Sequence, residues 1–449
     1  MASVSEKLGT QSVVKSFFEY FLPTLFGMML MSVNIVIDGI FVGNGVGPVA
    51  LASVNIAVPT FSVIMSISLM ISIGGGTLYS ISLGRNDTER AQKIFTMSLV
   101  YLIIVMITVS LAGYFNMEAL AKLFGANQET LPYVMDYMGI LFIFSLALAG
   151  ENFVSVFIRN DGDPQLAMIG LVTTALLNIG LNYWMIFILK MEVLGAALAT
   201  VIATIAGVLV YAIHFLKKSS NLKLVRFKWN WRDILNVSGI GFPSFLAEAA
   251  TGVFVMGYNI ALAFYSNTDG LSAFSVINYL YTFMFFAFIG IGSTIQPMIS
   301  YYYGAKKYDH IKQTVRLGEA AGLGLGLLFI AIGYLATDYL VAIFGITSPD
   351  IVALSSEGIK LFFLGYIFMG INFVYMTYYQ SIGQIKPSIG ITLFRGFILL
   401  GVMLLVLPPL FGIKGIWLAL PTAEAVMAII LIIFARRGVM KRHTESVGF

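Results

Sequence analysis

Asp38 stands near the end of a long apolar run, at roughly residues 17–41, and Asn34 precedes it by four residues. A spacing of four places both side chains on one face of a helix. A carboxylate inside a membrane helix costs roughly 2.5–3.5 kcal/mol, and such groups usually mark ion or proton pathways. We predict that Asp38 binds and releases a proton or a small cation. An ordinary solvated acid near the membrane interface is the alternative that position alone leaves open.

Further polar side chains recur at intervals of four in two later apolar runs. They are Thr174, Asn178 and Asn182 in one run, and Thr200 and Thr204 in the next. Each set lies on one helix face, so the sets could converge with Asp38 into one site. The alternative is hydrogen bonding between neighbouring helices, worth about 0.6–2 kcal/mol for each group.

These residues belong to a chain of 449 residues that is 59% hydrophobic and 11% charged, too apolar for soluble domains of this length. About 20 apolar residues cross a bilayer as a helix. Twelve runs qualify, at roughly 17–41, 50–82, 94–114, 132–158, 165–189, 193–216, 234–263, 272–300, 316–336, 352–380, 388–410 and 414–435. We predict an all-α polytopic membrane protein with twelve transmembrane helices. The first run lacks the features of a cleaved signal peptide, and the absence of cysteine excludes disulfides and thiolate chemistry.

The basic residues predict the orientation of these helices. Most of the 26 Lys and Arg fall in the N-terminal segment, the even-numbered loops and the C-terminal tail if the N-terminus is cytoplasmic and twelve spans follow. Because cytoplasmic loops are rich in Lys and Arg, both termini are predicted to be cytoplasmic. Nucleic-acid binding, the usual interpretation of a basic loop in a soluble protein, is therefore not expected.

The chain also repeats itself at a constant offset of 220 residues. The matching pairs include Pro23 and Pro243, Gly84 and Gly304, Gly125 and Gly345, the triplets at 152–154 and 372–374, and Gly195 and Gly415. Six spans in each half is an even number, so the repeats are parallel, like the bundles of transporters that rock about a central cleft. The predicted fold is two parallel, pseudo-symmetric six-helix bundles: 1–216, a flexible basic cytoplasmic linker at 217–233, and 234–449, which includes a cytoplasmic tail.

The repeat does not extend to the polar residues. Tyr258 occupies the position equivalent to Asp38, and the counterparts of the polar stripes are mainly apolar. We therefore expect the ion site in the N-terminal bundle. Candidate residues for a cavity that takes a cationic substrate are Glu248, Gln296, Asn278 and Tyr279, with Glu151 and Glu424 as weaker candidates. Arg395 either pairs with an acid or extends to the interface.

Five segments together resemble the multidrug and toxic compound extrusion (MATE) transporters, in the bacterial branch of MepA-like and DinF-like exporters. They are residues 37–43 (IDGIFVG), 159–164 (RNDGDP), 177–179 (LNI), 195–200 (GAALAT), and Gly383 with Pro387. The resemblance implies a proton or sodium site at Asp38, Asn178 and Thr200. It also implies that Pro23 lets the first helix bend. At the fourth site position the family commonly has aspartate and this chain has Asn182, so the coupling ion stays open.

The resemblance implies an antiporter in the bacterial inner (plasma) membrane that exports amphipathic, cationic drugs in exchange for H⁺ or Na⁺ by alternating access. We expect a monomer among membrane lipids, with no cofactor and no metal beyond Na⁺ at the coupling site. One alternative is a flippase for a lipid-linked precursor, which needs a basic cavity. A third alternative, an intramembrane enzyme, needs a nucleophile–base pair or metal ligands, but the three histidines lie at helix ends or in loops. No phosphate-binding G-x-x-x-x-G-K-[ST] motif is present, so ATP-driven transport by this chain alone is not expected.

Overall fold

A computed structural model describes residues 8–346 and 348–436, without the side chains of residues 267, 435 and 436. Secondary structure in these residues is helical throughout, as a bilayer requires of a chain whose backbone groups must bond within each span. Lys7 and the basic residues of the tail at 437–449, which the predicted orientation places in the cytoplasm, lie outside the described residues.

Six spans make up the first half of the chain. They are α1 (Val13–Gly45), α2 (Pro48–Gly84), α3 (Thr88–Phe115), α4 (Leu131–Ile143 with Ser145–Asn160), α5 (Pro164–Asn182, continued by a π-helical turn at Tyr183–Ile188) and α6 (Glu192–Phe215). A short helix, Met117–Leu123, follows α3. Each lies over one of the predicted apolar runs.

Six spans follow in the second half. They are α7 (Trp231–Tyr265), α8 (Asn267–Gly304), α9 (Tyr308–Leu335), α10 (Pro349–Ser381), α11 (Ile385–Phe411) and α12 (Ile413–Arg436). A π-helical segment, Phe394–Leu399, lies inside α11. The predicted polytopic helical fold is confirmed.

The α4 span is the exception in shape, because its two parts meet at an angle of 52°. Among the described residues, eleven helices are long and apolar enough to cross a membrane alone, and the bent pair makes a twelfth. A break exposes backbone carbonyls, which must find partners inside a bilayer. Ser110 of α3 supplies one, because its hydroxyl lies 2.5 Å from the Phe142 carbonyl and 2.5 Å from Ser145 Oγ.

The repeat appears in the helix boundaries and in the backbone. Thr88–Phe115 and Tyr308–Leu335 are related by the same offset of 220 at both ends. The residues that follow the second span of each half, Asn86 and Lys306, both adopt positive φ, at 60° and 57°. Gly125 and Gly345 share the left-handed region as well, where a side chain would be strained. The duplicated sequence therefore specifies duplicated turns as well as duplicated helices.

The chain divides into two compact units, with the boundary between Glu248 and Ala249, inside α7. The first half of α7 belongs to the N-terminal unit, where Ser238 Oγ lies 3.0 Å from Tyr101 Oη of α3. A Cβ on Gly241 would collide with the backbone carbonyl of Met70 in α2, so glycine is needed for this approach. The domain limits predicted from sequence stay a prediction.

The segment after α6 was expected to be a flexible tether, but part of it is bound to the N-terminal unit. The backbone N–H of Asn221 donates to Asp161, at 2.9 Å, and the N–H of Val225 donates to Thr96, at 3.1 Å. Leu222 is buried. These bonds link the segment to α3 and to the turn before α5.

Candidate functional site

Asp38 lies in the last third of α1, half-buried, with Asn34 one turn before it. The side-chain Nδ2 of Asn34 donates to Asp38 Oδ2 at 3.4 Å, a long hydrogen bond. The spacing of four produces this contact, because it places both side chains on one helix face.

Asn182, the last α-helical residue of α5, makes the main contact with Asp38 from another helix. Its Nδ2 donates to Asp38 Oδ1 at 2.6 Å and to Asn178 Oδ1 at 2.9 Å. Asn178 Nδ2 in turn donates to Thr200 Oγ1 of α6 at 3.1 Å. The structure therefore brings together the five residues predicted for the ion site, which come from three helices.

Two buried oxygens in this cluster have no hydrogen-bond partner among the described residues. They are the amide oxygens Oδ1 of Asn34 and Oδ1 of Asn182. The orientation of Asn182 follows from its neighbours, since only its NH₂ group can donate to both Asp38 and Asn178. An unpartnered buried amide oxygen costs about 1–3 kcal/mol, and a cation or a proton donor would satisfy it. A single carboxylate with neutral oxygens suits H⁺ or a monovalent cation.

The backbone of α5 changes just after Asn182, where the π-helical turn begins. Such turns insert an extra residue and often occur at functional sites. The turn places Phe187 in edge-to-face contact with Phe41 of α1, with ring centroids 5.7 Å apart. A side chain on Gly45 would collide with Ile186. This close packing holds the end of α1 against α5 and so sets the position of Asp38.

Tyr137 of α4 is a neighbour that the sequence did not single out. It packs on the apolar cluster that contains Val42 and Ala196, and it interacts electrostatically with Asp38. The sequence contains 22 tyrosines, and nothing in its pattern distinguishes this one.

Pro23 lies inside α1, which continues through it as one helix. Proline has no N–H, so the carbonyl of Glu19, four residues earlier, lacks its usual helical donor, and bending there is easier. Pro23 precedes Asp38 by fifteen residues, or about 22 Å of helix. A hinge at Pro23 stays a prediction.

The four residues proposed for a substrate cavity divide between the two units. Glu248 lies at the end of the N-terminal unit, and the other three lie in α8 of the other unit. Asn278 and Gln296 are eighteen residues apart, which is about 27 Å of helix. Gln296 is buried, with its amide 3.4 Å from Ser300 Oγ, whereas Tyr279 is 39% exposed. Their roles stay predictions.

Arg395, which sequence reasoning left open, pairs with an acid. Its Nε donates to both carboxylate oxygens of Glu424, at 2.7 and 2.9 Å, and Asn372 Nδ2 donates to Glu424 at 2.6 Å. The guanidinium also lies 4.4 Å from the ring centroid of Phe373. This buried cluster of α10, α11 and α12 lies in the C-terminal unit and satisfies both charges internally.

A second polar cluster, at the turn between α4 and α5, was missed. His214 lies between two carboxylates, with Nε2 2.8 Å from Asp161 and Nδ1 3.2 Å from Asp163. Tyr79 also donates to Asp161, at 2.8 Å, and Lys217 pairs with Asp163. Burial opposes ionisation of Asp163, but the hydrogen bonds from His214 and Lys217 prevail and hold its pKa well below the ordinary value. The feature of the sequence that could have indicated this cluster is the RNDGDP segment, which supplies both carboxylates.

Comparison with known proteins decides the family. The profile of the MatE family matches residues 23–184 and again 243–407, so both matches begin at the repeated proline. The chain belongs to the MatE family. It is therefore a multi-pass membrane transporter and not an enzyme.

Relatives and solved structures in this family match nearly the whole chain. It is 26% identical over 430 residues to the multidrug export protein MepA of Staphylococcus saprophyticus. This alignment covers 95% of this chain and 94% of the relative. A solved MATE structure in the bent conformation superposes with a TM-score of 0.90 at 19% identity, and the superposition covers 99% of this chain and 100% of the solved chain. An outward-facing multidrug resistance MATE transporter gives a TM-score of 0.92 at 19% identity, covering 98% and 99%. The fold of this family is thus confirmed.

Proposed function

We propose that this transporter exports amphipathic, cationic organic compounds from bacteria in exchange for H⁺ or Na⁺. The name of the MepA relative, a multidrug export protein, supports the substrate class. The coupling ion binds at Asp38 in the N-terminal unit. The protein works as a monomer in the cell membrane, with both termini in the cytoplasm and the basic segment after α6 on the same side.

The hydrogen bond from Asn182 to Asp38 is the observation that carries this proposal. It joins α5 to α1 through the carboxylate, so a change in the charge of Asp38 changes the contact between two helices. When a proton binds, one carboxylate oxygen becomes a donor, and the unpartnered oxygen of Asn34 or Asn182 is available to accept. When Na⁺ binds, the same oxygens serve as ligands beside Asp38.

Exchange requires that ion and substrate favour different conformations. A ligand that binds two conformations equally tightly does not change their populations. Ion binding at Asp38 therefore stabilises one arrangement of α1 and α5, and the substrate stabilises the other. Alternating occupancy of these two arrangements moves the ion inward and the substrate outward.

The flippase alternative is less favoured because it needs free cations for a phosphate group. Arg395, the one basic residue deep in a predicted span, uses its Nε to bind both oxygens of Glu424. Its charge is already compensated inside the C-terminal unit.

The test is efflux of a fluorescent organic cation from proteoliposomes under an imposed pH gradient or an imposed Na⁺ gradient. We expect Asp38→Asn to lower gradient-driven efflux about tenfold or more. Asp136→Asn makes the same change at an exposed position of α4 and should leave efflux unchanged. Undiminished efflux by Asp38→Asn under both gradients would remove Asp38 from the mechanism.

A further inference from the structure

A second buried carboxyl group, Glu151, lies in the same unit, in the second part of α4. Its side chain is 7% exposed, and its Oε1 accepts a short hydrogen bond from Thr174 Oγ1 of α5. Gly207 of α6 closes the site from a third helix, because a Cβ there would lie 2.6 Å from Glu151 Oε1. Three helices thus enclose one carboxyl group.

Among the residues that the structure describes, this carboxyl group has no cationic partner. The ion pairs found among the described residues do not include Glu151. The other deeply buried glutamate, Glu424, has Arg395 as its partner. An ionised carboxylate that is buried without a cation is strongly disfavoured, since it loses its hydration without compensation.

The groups that face Glu151 from the surrounding helices are mostly neutral. Tyr211 of α6 interacts electrostatically with it, and α5 presents Thr174. From α2, Ser68 bonds to the carbonyl of Ala149 nearby. Arg159 of α4 carries a positive charge eight residues later, or about 12 Å along the helix. Its Nη1 donates to Ser155, which lies in between.

Glu151 also lies at one end of the stripe that contains the ion site. Thr174 is four residues before Asn178 and eight before Asn182, so one face of α5 connects the two carboxyl groups over about 12 Å. Asn182 contacts Asp38 at one end of this face, and Thr174 contacts Glu151 at the other. A movement of α5 therefore alters both contacts at once.

From this geometry we propose that Glu151 is a second proton-binding group of the transport cycle, an inference that rests on the proposed function. In the packed arrangement of α4, α5 and α6 the group is a neutral acid. When α5 moves and water reaches the site, its O–H bond breaks, the proton leaves to water, and the carboxylate remains. Reprotonation restores the packed arrangement. Glu151 then carries a proton in the N-terminal unit in addition to the ion that binds at Asp38.

The test compares Glu151→Gln, which mimics the neutral acid, with Glu151→Asp, which retains a titratable group. Glu118→Gln is the matched control, because Glu118 is exposed and pairs with Lys122 on a short helix. Efflux driven by a pH gradient is measured in proteoliposomes across a range of pH. Infrared difference spectra between acidic and alkaline buffer record the carbonyl stretch of protonated carboxylic acids in each purified variant.

We expect Glu151→Gln to lack one carboxylic acid band present in the parent protein and to lower pH-driven efflux about fivefold or more. Its binding of the fluorescent cation should persist, and Glu151→Asp should restore a pH-dependent rate. An unchanged band pattern, or an unchanged pH profile of efflux in Glu151→Gln, would overturn the inference. If Asp38→Asn abolishes efflux while Glu151→Gln behaves like the parent, only this inference fails. If Asp38→Asn is fully active, the proposed function fails.

Discussion

Asn182 Nδ2 lies 2.6 Å from Asp38 Oδ1, although 144 positions separate the two residues in sequence. This hydrogen bond connects the last α-helical residue of α5 with the last third of α1. Since the donor is an amide, the cluster that contains it has one carboxylate. Replacing Asn182, the partner of that carboxylate, changes the charge of the cluster and therefore tests which ion it binds.

Replacing Asn182 with aspartate is expected to strengthen the response to sodium. Two carboxylates at hydrogen-bond distance repel each other unless a cation or a proton lies between them. We expect Asn182→Asp to increase efflux driven by a Na⁺ gradient relative to efflux driven by a pH gradient. Asn116→Asp, at the exposed end of α3, is the matched control. An unchanged ratio of the two rates would argue against direct ion binding at this pair.

The hydroxyl of Thr200 is expected to contribute to ion affinity through Asn178. Thr200→Val preserves the side-chain shape and removes the acceptor of the 3.1 Å bond from Asn178 Nδ2. Loss of one such bond costs about 1 kcal/mol, so the ion concentration for half-maximal efflux should rise about fivefold. Thr108→Val is the control, because Thr108 is exposed and its hydroxyl donates to the Ile104 carbonyl of its own helix. Equal half-maximal concentrations in both variants would contradict this role.

The ion pair of Arg395 and Glu424 is expected to stabilise the C-terminal unit rather than to couple ions. Arg395→Met leaves Glu424 buried without its cation, and breaking a buried pair in this way costs about 3–5 kcal/mol. The double variant Arg395→Met with Glu424→Leu should regain most of the loss, because no charge stays unpaired. Thermal unfolding in detergent measures both. A double variant less stable than either single variant would refute this account.

Asp163 is expected to make the protein less stable in acid. Its pKa in the folded protein is well below the ordinary value of 3.8, so the unfolded chain binds its proton first as the pH falls. Its contribution is fully present well above pH 4 and is lost as the pH falls through the folded value. Asp163→Asn should lower stability by about 2 kcal/mol at neutral pH and flatten this acid dependence.

Melting temperatures between neutral pH and about pH 2 record the effect, because the loss falls between the unfolded and the folded pKa; Asp309→Asn is the control. Asp309 is exposed and forms a surface ion pair with Lys312. If Asp163→Asn kept the parent's acid dependence, another group would have to account for it.

The number and type of elements could be predicted because they depend on local properties. Twelve apolar runs of sufficient length predict twelve spans, and the 220-residue offset of Pro23 and Pro243 predicts two similar halves. Each span bonds its own backbone, so hydropathy locates its apolar part. The helices extend beyond that part where polar residues continue them, and α3 and α9 begin six and eight residues before the predicted runs. The bend in α4 could not be predicted, since it contains neither Pro nor Gly at the break and depends on Ser110 of another helix.

The sequence by itself also determined which polar residues share a helix face, because a spacing of four is one turn. It placed Asn34 beside Asp38, and it placed Thr174, Asn178 and Asn182 on one face of α5. Only the tertiary structure decided which faces meet. It brought Asn182 to Asp38, Thr174 to Glu151, and Arg395 to Glu424. The rotation of each helix about its axis depends on side-chain packing along its whole length, so the local spacing of polar residues cannot predict it.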